Sequence, residues 1–404
     1  MTAARLLILA CAATLLASCA SKVNSPDNVS DASQCASACK TFGKDGQCIT
    51  YRENIPQQCA EYFARLCAVS PDRCPKGNAY ALVRVWYATD RARIQGSTSP
   101  IQFGMERSPV SYGYLDVSIP ANHRLGDLES PSALRFEFTA DPAHHVVLQS
   151  VTSLPADGFF TELGSRIEAS KTRDALVFLH GYNVTFDDAA RRTAQLTYDL
   201  KFPGAPIFYS WPSVGVTGAY TLDEQSIEWS QTHIKQFLAD LLSNTSAERL
   251  YLIAHSMGNR ALTRAFIALL RERSDLRSRV RQIVLAAPDI DADVFVRDLA
   301  PELVSSGVAT TLYASADDKA LLASKAVHGY ARAGDAGASV LVIPGIETVD
   351  ATGADTSFIA HSYFASRTIL SDLFYLVSEG KPAESRFGLR RVMTPKGAYW
   401  VYAP

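Results

Sequence analysis

The chain has 404 residues, a formal net charge of −2 at pH 7, and hydrophobic residues at 47% of its positions. This length and composition allow one large buried core with a smaller appendage. The near-neutral charge argues against a nucleic-acid partner, because a phosphate-binding surface needs an excess of basic residues. No apolar run is long enough to form a mature membrane-spanning helix, and no motif repeats at a fixed period.

The first 18 residues have the features of an export signal. Arg5 precedes the apolar stretch LLILACAATLLAS, which is too short for a membrane span and ends in small residues. The tetrapeptide L-A-S-C at 16–19 resembles the bacterial lipoprotein box, whose cysteine becomes the lipidated first residue of the mature chain. We therefore expect a signal peptide at 1–18 and lipidation of Cys19; the alternative is an ordinary signal peptide followed by a chance cysteine.

A lipid on Cys19 would anchor the protein stably, because several acyl chains bind a membrane far more tightly than one. Ala20 follows the cysteine. In lipoproteins of this kind, a residue other than Asp at this position implies sorting to the outer membrane. The expected location is therefore the bacterial cell envelope, with the protein lipid-anchored in the outer membrane and facing the periplasm.

All eight cysteines precede residue 75. Cys11 would leave with the signal peptide and Cys19 would carry the lipid. The remaining cysteines form an even set: Cys35, Cys39, Cys48, Cys59, Cys67 and Cys74. Such a set predicts disulfides in an oxidising compartment, but the sequence does not determine which cysteines pair. A metal site is the alternative, but the segment has no C-x-x-C pair and no histidine. We interpret residues 19–78 as a linker and a Cys-rich disulfide module of open role.

From residue 79 onward, short apolar runs predict strands. The earlier runs are YALVRVWYATD, SYGYLDVSIP, ALRFEFTAD and HHVVLQSVTSL. From Asp174 the strands alternate with helical patterns, and they are ALVFLH, APIFYSW, RLYLIAH, QIVLAAP, TTLYAS and SVLVIP. Capping patterns predict helices that open at Thr185 and Thr221. This alternation predicts an α/β fold with a mostly parallel sheet and helices on both faces, in which ligands bind at the carboxyl ends of the strands.

The stretch LYLIAHSMGNRAL contains the most informative motif. Ser256 lies where a predicted strand meets a predicted helix, and small residues, Ala254 and Gly258, flank it two positions away on either side. A sharp strand-to-helix turn strains the serine backbone, so only small residues fit beside it. The pattern matches the nucleophile elbow G-x-S-x-G of α/β-hydrolases, with Ala in the first position. In that geometry the Met257 N–H could receive an oxyanion. The alternative is a serine that merely caps a helix.

A serine nucleophile needs a base, which follows it in the chain in this fold. Only His328 and His361 follow Ser256. His361 comes after the last predicted strand, in the loop TGADTSFIAHSYF, where the base should return to the carboxyl edge. We predict His361 as the base, with His328 as the alternative.

An acid should orient that base. The strand TTLYAS runs into Asp317 and Asp318, and the preceding strand ends in AAPDIDADVF, which contains Asp289. We predict Asp318 as the acid, with Asp317 and Asp289 as alternatives. Aspartates just beyond a strand also serve as simple helix caps.

A second oxyanion donor should come from the loop after an earlier strand. The run ALVFLHGYN offers Gly181, which allows close backbone approach, and the N–H of Tyr182. His180 is better suited to bracing this loop than to catalysis. The oxyanion would thus be held by the backbone N–H groups of Tyr182 and Met257.

Several of these segments together resemble an α/β-hydrolase family of unknown function (DUF900), whose members are described as belonging to the esterase/lipase superfamily. The resemblance covers about residues 80–376, and its segments are WYATDR, YGYLDVSIP, VFLHGYNVTFDDAARRTAQLTYDL, FYSWPS, AHSMGNRAL, LAAPDIDADVF and LYASADDKALLASKAVHGYARAGD. It implies a catalytic triad of Ser256, Asp318 and His361. We accordingly place an α/β-hydrolase domain at 79–378 and a C-terminal tail of open role at 379–404.

The expected function is that of a serine hydrolase which cleaves short-chain carboxylic esters through an acyl-enzyme on Ser256, without cofactor or metal. The region between AAPDIDADVF and TTLYAS has room for little more than one helix, and the only other candidate cover is the loop SVGVTGAY at 213–220. This predicts a shallow site for short acyl chains.

The expected partners are a small-molecule or lipid ester and, through the anchor, a membrane; a protein partner of the Cys-rich module stays unknown. The alternatives are an amidase, peptidase or thioesterase with the same triad, or a non-catalytic envelope lipoprotein.

Overall fold

The computed structural model describes residues 34–43, 47–52, 55–69, 74–75, 79–97, 100–132, 136–170, 172–318, 321, 324–325, 328–354 and 367–402. The predicted signal peptide, the predicted lipidation site Cys19 and the predicted base His361 lie outside these residues. None of the helices in the described ranges combines the length and apolar character that crossing a membrane requires.

One large sheet dominates the structure. The strands are β1 (Cys39–Phe42), β2 (Cys48–Tyr51), β3 (Tyr80–Arg93), β4 (Phe103–Pro120), β5 (Val147–Leu154), β6 (Asp174–Leu179), β7 (Ala205–Ser210), β8 (Arg249–His255), β9 (Val280–Ala286), β10 (Ala309–Ala314), β11 (Glu347–Asp350), β12 (Leu389–Thr394) and β13 (Gly397–Tyr402). The large sheet has the order β12-β13-β11-β10-β9-β8-β6-β7-β3-β4-β5. Its strands from β13 to β3 are all parallel, and β4 and β12 pair antiparallel to their neighbours.

Helices cover both faces of this sheet, as the alternating pattern predicted. They are α1 (Gln57–Val69), α2 (Ala156–Ala169), α3 (Phe186–Asp199), α4 (Tyr220–Asn244), α5 (Gly258–Glu272), α6 (Ala300–Ser306) and α7 (Arg367–Ser378). One face packs against α2, α4, α5 and α6, and the other against α3 and α7. The central strands are mostly apolar because helices cover both faces, and their few polar residues lie mainly at the strand ends. The fold is therefore α/β, and the predicted mostly parallel sheet is confirmed.

Two strand predictions were wrong. The described part of ALRFEFTAD forms turns, and its Phe136 and Phe138 are exposed. The run SVLVIP is not a strand either; β11 follows it and takes the place beside β10. Leu341 and Ile343 of that run pack against the core from outside the sheet. Hydrophobic alternation marks burial, but hydrogen-bonded partners decide which segment enters a sheet.

One of the two predicted helix caps is present. The Thr185 hydroxyl accepts the Asp188 N–H at 3.1 Å, so α3 begins as predicted. The prediction that Thr221 caps the next helix was wrong, because α4 begins at Tyr220 and no side chain caps it. The acidic residue of its first turn, Asp223, is buried and contacts neighbouring loops instead.

The Cys-rich segment is held by disulfides, as its even cysteine count predicted. The pairs are Cys35–Cys59, Cys39–Cys48 and Cys67–Cys74. Its helix α1 lies against β3, and Arg65 of α1 reaches Asp116 of β4 at 3.0 Å. Arg84 of β3 contacts the same carboxylate at 3.0 Å. Although burial opposes ionisation, the two guanidinium groups hold the pKa of Asp116 below its ordinary value. This shared carboxylate joins the disulfide segment to the sheet.

Residues 379–404, predicted as a tail, contribute two strands to the large sheet. The hairpin of β12 and β13 pairs through β13 with β11, in parallel. Arg386, just before the hairpin, is buried and contacts Asp372 of α7 at 3.0 Å. The described part of this segment is therefore continuous with the hydrolase sheet.

A buried histidine joins the loop after β4 to the end of α3. His123 contacts Glu129 through Nδ1 at 2.8 Å and Asp199 through Nε2 at 2.9 Å, and its side chain is only 3% exposed. Burial disfavours a charged imidazole, but the hydrogen bonds to Asp199 and Glu129 outweigh it and raise the pKa of His123 to about 9. The histidine is therefore a cation between two carboxylates at neutral pH.

We expect His123→Gln to lower the free energy of unfolding at pH 7 by on the order of 3 kcal/mol, because it leaves two carboxylates facing each other without a cation. A raised folded-state pKa stabilises the protein fully below the unfolded pKa of 6.5, and this contribution disappears as the pH rises through about 9. The stability difference between wild type and variant should therefore shrink from pH 7 to pH 10 in urea unfolding experiments.

The matched control is His144→Gln, because His144 also contacts a carboxylate, Asp141, but its side chain is 65% exposed. This variant should differ from wild type by less than about 0.5 kcal/mol at every pH. A His123→Gln difference that stays constant up to pH 10 would contradict the charged state inferred for His123.

Candidate active site

Ser256 occupies a strained corner between a strand and a helix. Strand β8 ends at His255 and α5 begins at Gly258, so the chain reverses direction within two residues. The backbone φ of Ser256 is +51°, a region that non-glycine residues rarely adopt. Its N–H donates to the Ala286 carbonyl of β9 at 2.9 Å, and its carbonyl accepts the Asn259 N–H at 3.1 Å. The neighbouring strand and the first helical turn thus hold the strained conformation.

Two glycines allow the loop after β6 to lie against this corner. A Cβ added to Gly258 would come within 2.5 Å of the His180 carbonyl oxygen. A Cβ added to Gly181 would come within 2.8 Å of the Cβ of Ser256. Such contacts are too short for any side chain, so glycine is required at both positions by close backbone approach. The loop that follows β6 is therefore in direct contact with the serine.

Two side chains fix the backbone of that loop. The buried Asp223 carboxylate accepts the Asn183 N–H at 3.1 Å, and the Ser213 hydroxyl accepts the Val184 N–H at 3.1 Å. The N–H groups of Tyr182 and Met257 have no acceptor among the described residues. Two backbone donors beside a strained serine are the arrangement that an oxyanion requires.

The Tyr182 side chain connects this loop to the loop at 213–220, which was the predicted cover of the site. Its hydroxyl accepts the Gly218 N–H at 2.8 Å and lies 3.5 Å from the Val216 carbonyl. The Tyr182 and Tyr220 rings lie 5.3 Å apart. Between β9 and β10, the other region considered for a lid, the chain forms short helical segments from Ala292 to Ser306 and no larger insertion.

His180 is fully buried behind the corner. Its Nδ1 lies 2.9 Å from the Gly181 carbonyl, and its Nε2 lies 3.1 Å from the Ser210 hydroxyl. Its ring stacks on Trp211 with a centroid distance of 4.9 Å. Burial, followed by the charge of Arg91, lowers the pKa of His180 to about 3. His180 is therefore neutral and contacts the loop rather than solvent, in agreement with a bracing role.

Asp318 and Asp317 follow β10, which lies two strands from β8 in the sheet. Adjacent strands are about 5 Å apart, so the ends of β8 and β10 are separated by about 10 Å. Asp318 is 2% exposed, and its Oδ1 accepts the Leu321 N–H at 3.0 Å. Asp317 is exposed, and its Oδ2 accepts the Gly353 N–H at 3.3 Å. Of these two candidate acids, only Asp318 is buried.

Asp289 belongs to a buried ionic cluster. Its Oδ1 contacts Arg332 at 2.8 Å and the Ser324 hydroxyl at 2.6 Å, and its Oδ2 contacts Arg260 at 3.4 Å and the Tyr220 hydroxyl. Burial would raise its pKa, but the charges of Arg260 and Arg332 hold the pKa of Asp289 below its ordinary value. Both of its oxygens are thus engaged with structural partners.

His328, the alternative base, lies beside this cluster. Its Nδ1 is 2.8 Å from the Ser324 carbonyl, and its Nε2 is 2.9 Å from Glu224 of α4. Both ring nitrogens therefore have partners other than Ser256. The predicted base His361 lies outside the described residues, so its role stays a prediction.

A cavity of about 750 Å³ lies between α4, α5 and the segments around Ile290 and His328. It begins one helical turn beyond Ser256 along α5, at Arg260 and Ala261. Ionisable side chains account for nearly half of its lining: Glu224, Glu228, Arg260, Arg264, Asp291, His328 and Arg332. The lining mixes these charged groups with apolar side chains, among them Ile227, Ile290 and Val294.

Sequence reasoning missed the groups that fix the loops around the serine, namely Arg91, Ser210 and Asp223. Arg91 lies within the motif WYATDR, near the end of a strand that begins with a mostly apolar run, and it is 2% exposed. A charged residue in such a strand was a signal that it has buried partners. The identity of those partners depends on tertiary structure.

Comparison with known proteins agrees with this architecture. The family described as alpha/beta hydrolase of unknown function (DUF900) matches residues 156–377. A search of curated proteins found no significant match. Among solved structures, a predicted CIB-like hydrolase from Thermoplasma acidophilum is similar at 13% identity and a TM-score of 0.30; the alignment covers 58% of this chain and 91% of that one.

Two further solved structures are similar at a comparable level. Naproxen esterase from Bacillus subtilis has 11% identity and a TM-score of 0.27, with 57% of this chain and 98% of that one covered. The poly(3-hydroxybutyrate) depolymerase LpqC from Bordetella parapertussis has 14% identity and a TM-score of 0.31, with coverage of 72% and 90%. At these values the likenesses carry no argument about activity. On the family match, which spans more than half of its residues, the chain belongs to the alpha/beta hydrolase family of unknown function (DUF900).

Proposed function

We propose that this protein is a serine hydrolase that cleaves short-chain carboxylic esters through an acyl-enzyme on Ser256. The observation that carries the proposal is the strained turn at Ser256. Two backbone N–H groups without described acceptors, those of Tyr182 and Met257, belong to the loop against that turn and to the residue after it. A helix-capping serine would need neither the strain nor the close approach of Gly181.

The proposed reaction has two steps. The Ser256 Oγ attacks the ester carbonyl carbon while His361 accepts the hydroxyl proton, and the buried carboxylate of Asp318 orients the imidazole. The carbonyl oxygen becomes an oxyanion that accepts hydrogen bonds from Tyr182 and Met257. The alcohol then leaves with the proton from His361. Water, deprotonated by the same histidine, releases the carboxylic acid and restores Ser256.

The preference for short acyl chains is supported by the small covers of the site, the loop at 213–220 and the short helical segments between β9 and β10. Each buried CH₂ group of an acyl chain contributes about 0.8 kcal/mol only if it reaches an apolar surface. In the cavity beyond Arg260, apolar side chains are interspersed with charged ones, and Ser256 is not among the residues that line it. Long chains would therefore gain little binding energy from this site.

We expect a fluorophosphonate probe to label the wild-type protein and not Ser256→Ala, because the probe reacts only with an activated serine. Asp318→Asn and His361→Ala should keep the fold but lower kcat for a soluble ester by about 10⁴-fold, since each removes the activation of the nucleophile. Probe labelling, ester hydrolysis and thermal unfolding are measured on each purified variant.

Ser118→Ala is the matched control, because Ser118 is a buried serine of β4 whose hydroxyl contacts only the sheet neighbourhood. It should be labelled like the wild type. Loss of activity in His328→Ala, with activity retained in His361→Ala, would move the base to His328. Absence of labelling in a folded wild-type protein would favour a non-catalytic envelope protein.

A series of p-nitrophenyl esters tests the chain-length preference. We expect kcat/KM to be highest for acetate or butyrate and to fall by at least about tenfold for laurate, because the small covers of the site leave added CH₂ groups little apolar surface to contact. The rate should rise smoothly with substrate concentration. A strong preference for long chains, with a rate jump above the critical micelle concentration, would contradict a shallow site.

We further propose that lipid on Cys19 anchors the protein in the bacterial cell envelope, facing the periplasm. Support comes from the sequence at 16–19 and from the disulfides, which persist in oxidising compartments. Cells that express the wild type should incorporate labelled palmitate into the protein and retain it in the membrane fraction. Cys19→Ala should lose both properties; membrane retention of an unlabelled Cys19→Ala protein would contradict this anchor.

A further inference from the structure

Arg91, at the end of β3, is a buried cation without a carboxylate partner among the described residues. Its side chain donates to the Ser210 hydroxyl at 2.8 Å and to three backbone carbonyls, those of Gly104, Ser213 and Val184, at 3.0, 2.8 and 2.7 Å. Burial lowers the pKa of Arg91 to about 10, so the group remains charged at neutral pH. Nearby carboxylates, Asp223 first among them, partly offset this burial, but none contacts the guanidinium directly. A buried guanidinium that donates to backbone carbonyls instead of a carboxylate calls for a role beyond filling the core.

We propose that Arg91 is a positioning residue for the oxyanion donor: through Ser210 and His180 it holds the peptide between Gly181 and Tyr182 in the orientation that stabilises the transition state. This inference rests on the proposed function. It assigns a role to a residue that does not contact the substrate.

The chain of hydrogen bonds has one consistent direction. The Gly181 carbonyl can only accept, so His180 Nδ1, 2.9 Å away, carries the imidazole proton. Because His180 is neutral, its Nε2 then accepts the hydrogen of the Ser210 hydroxyl, 3.1 Å away. The Ser210 oxygen in turn accepts the Arg91 Nε–H at 2.8 Å. The guanidinium thus holds the hydroxyl that donates to the imidazole.

The Gly181 carbonyl determines where the Tyr182 N–H points. The two groups belong to the same peptide bond, and in a planar trans peptide the C=O and N–H bonds point in opposite directions. With the carbonyl held toward the buried His180, the N–H must face the opposite side. Gly181 lies against Ser256, and in this proposal the side opposite His180 is the side of the serine.

Arg91 also holds the far end of the same loop. Its Nη2 donates to the Val184 carbonyl, and its Nη1 donates to the Ser213 carbonyl of the loop after β7. Asp223 binds the same two loops through the Asn183 N–H and the Val214 N–H. Because glycine at position 181 would otherwise allow the peptide to rotate, both ends of the short loop must be fixed for the Tyr182 N–H to stay in place.

The test compares Arg91→Lys with Arg84→Lys. Both arginines lie in β3, but Arg84 contacts Asp116, away from Ser256. An ammonium group cannot donate to all four acceptors of Arg91 at once. We expect kcat per active site to fall by about tenfold or more in Arg91→Lys, with KM within about twofold of wild type, because a misplaced oxyanion donor acts on the transition state. Arg84→Lys should leave both unchanged.

Titration with a fluorophosphonate counts the intact active sites in each preparation. Dividing the rate by this count distinguishes a variant that is partly unfolded from one whose chemical step is slower.

The second readout is the rate ratio between an ester and its thiono analogue, whose larger sulfur is a poorer hydrogen-bond acceptor. This ratio measures how well the N–H donors fit an oxygen. It should fall toward one in Arg91→Lys and remain at the wild-type value in Arg84→Lys.

Ser210→Ala provides a second variant should Arg91→Lys fail to fold. It removes the central hydroxyl and leaves the three carbonyl contacts of Arg91, with Ser118→Ala as its control. A per-site kcat and a thiono ratio equal to wild type in Ser210→Ala, or in a folded Arg91→Lys, would overturn the proposal. A folded wild type without ester hydrolysis or labelling would overturn the proposed function, and this inference with it.

Discussion

The strained backbone at Ser256 is the constraint on which the rest of the site depends. A non-glycine residue keeps a backbone φ of +51° only where neighbouring groups hold its backbone in place. For Ser256 these groups are the carbonyl of Ala286 and the first turn of α5. The turn also brings the loop after β6 so close that Gly181 and Gly258 cannot carry side chains. The turn at one residue thereby requires glycine at two other positions, one in the loop after β6 and one at the start of α5.

Buried charges hold the loops at the carboxyl edge of the sheet. Arg91 and Asp223 fix the loops after β6 and β7. In the loop after β9, Asp289 forms ion pairs with Arg260 and Arg332. Loops at this edge have few regular backbone partners of their own, so side chains must satisfy their N–H and C=O groups. A buried ion is costly to desolvate, but it supplies several directed hydrogen bonds from a single residue. The backbone groups of the loops around Ser256 are thereby held by side chains as well as by the sheet.

Two segments outside the matched family region are joined to the same sheet. The disulfide segment, whose β1 and β2 form a separate small sheet, contacts Asp116 through Arg65, and the hairpin of β12 and β13 continues the large sheet beyond β11. The buried Cys67 belongs to the hydrophobic core that also contains residues of α3. The described parts of both segments therefore share packing with the hydrolase domain.

Local sequence determined the alternating strands and helices, the strand-to-helix corner at Ser256 and the presence of disulfides, because each depends on residues close in the chain or on simple counts. It failed for ALRFEFTAD and SVLVIP, where apolar runs lie on the surface or beside the sheet instead of within it. Only tertiary structure could join Arg91 to Ser210, 119 residues away, or engage Asp289 in an ionic cluster with Arg332. Residues close together in the chain show where a turn is strained and where a segment is buried. The partner of a buried polar group depends instead on which loops the sheet brings together.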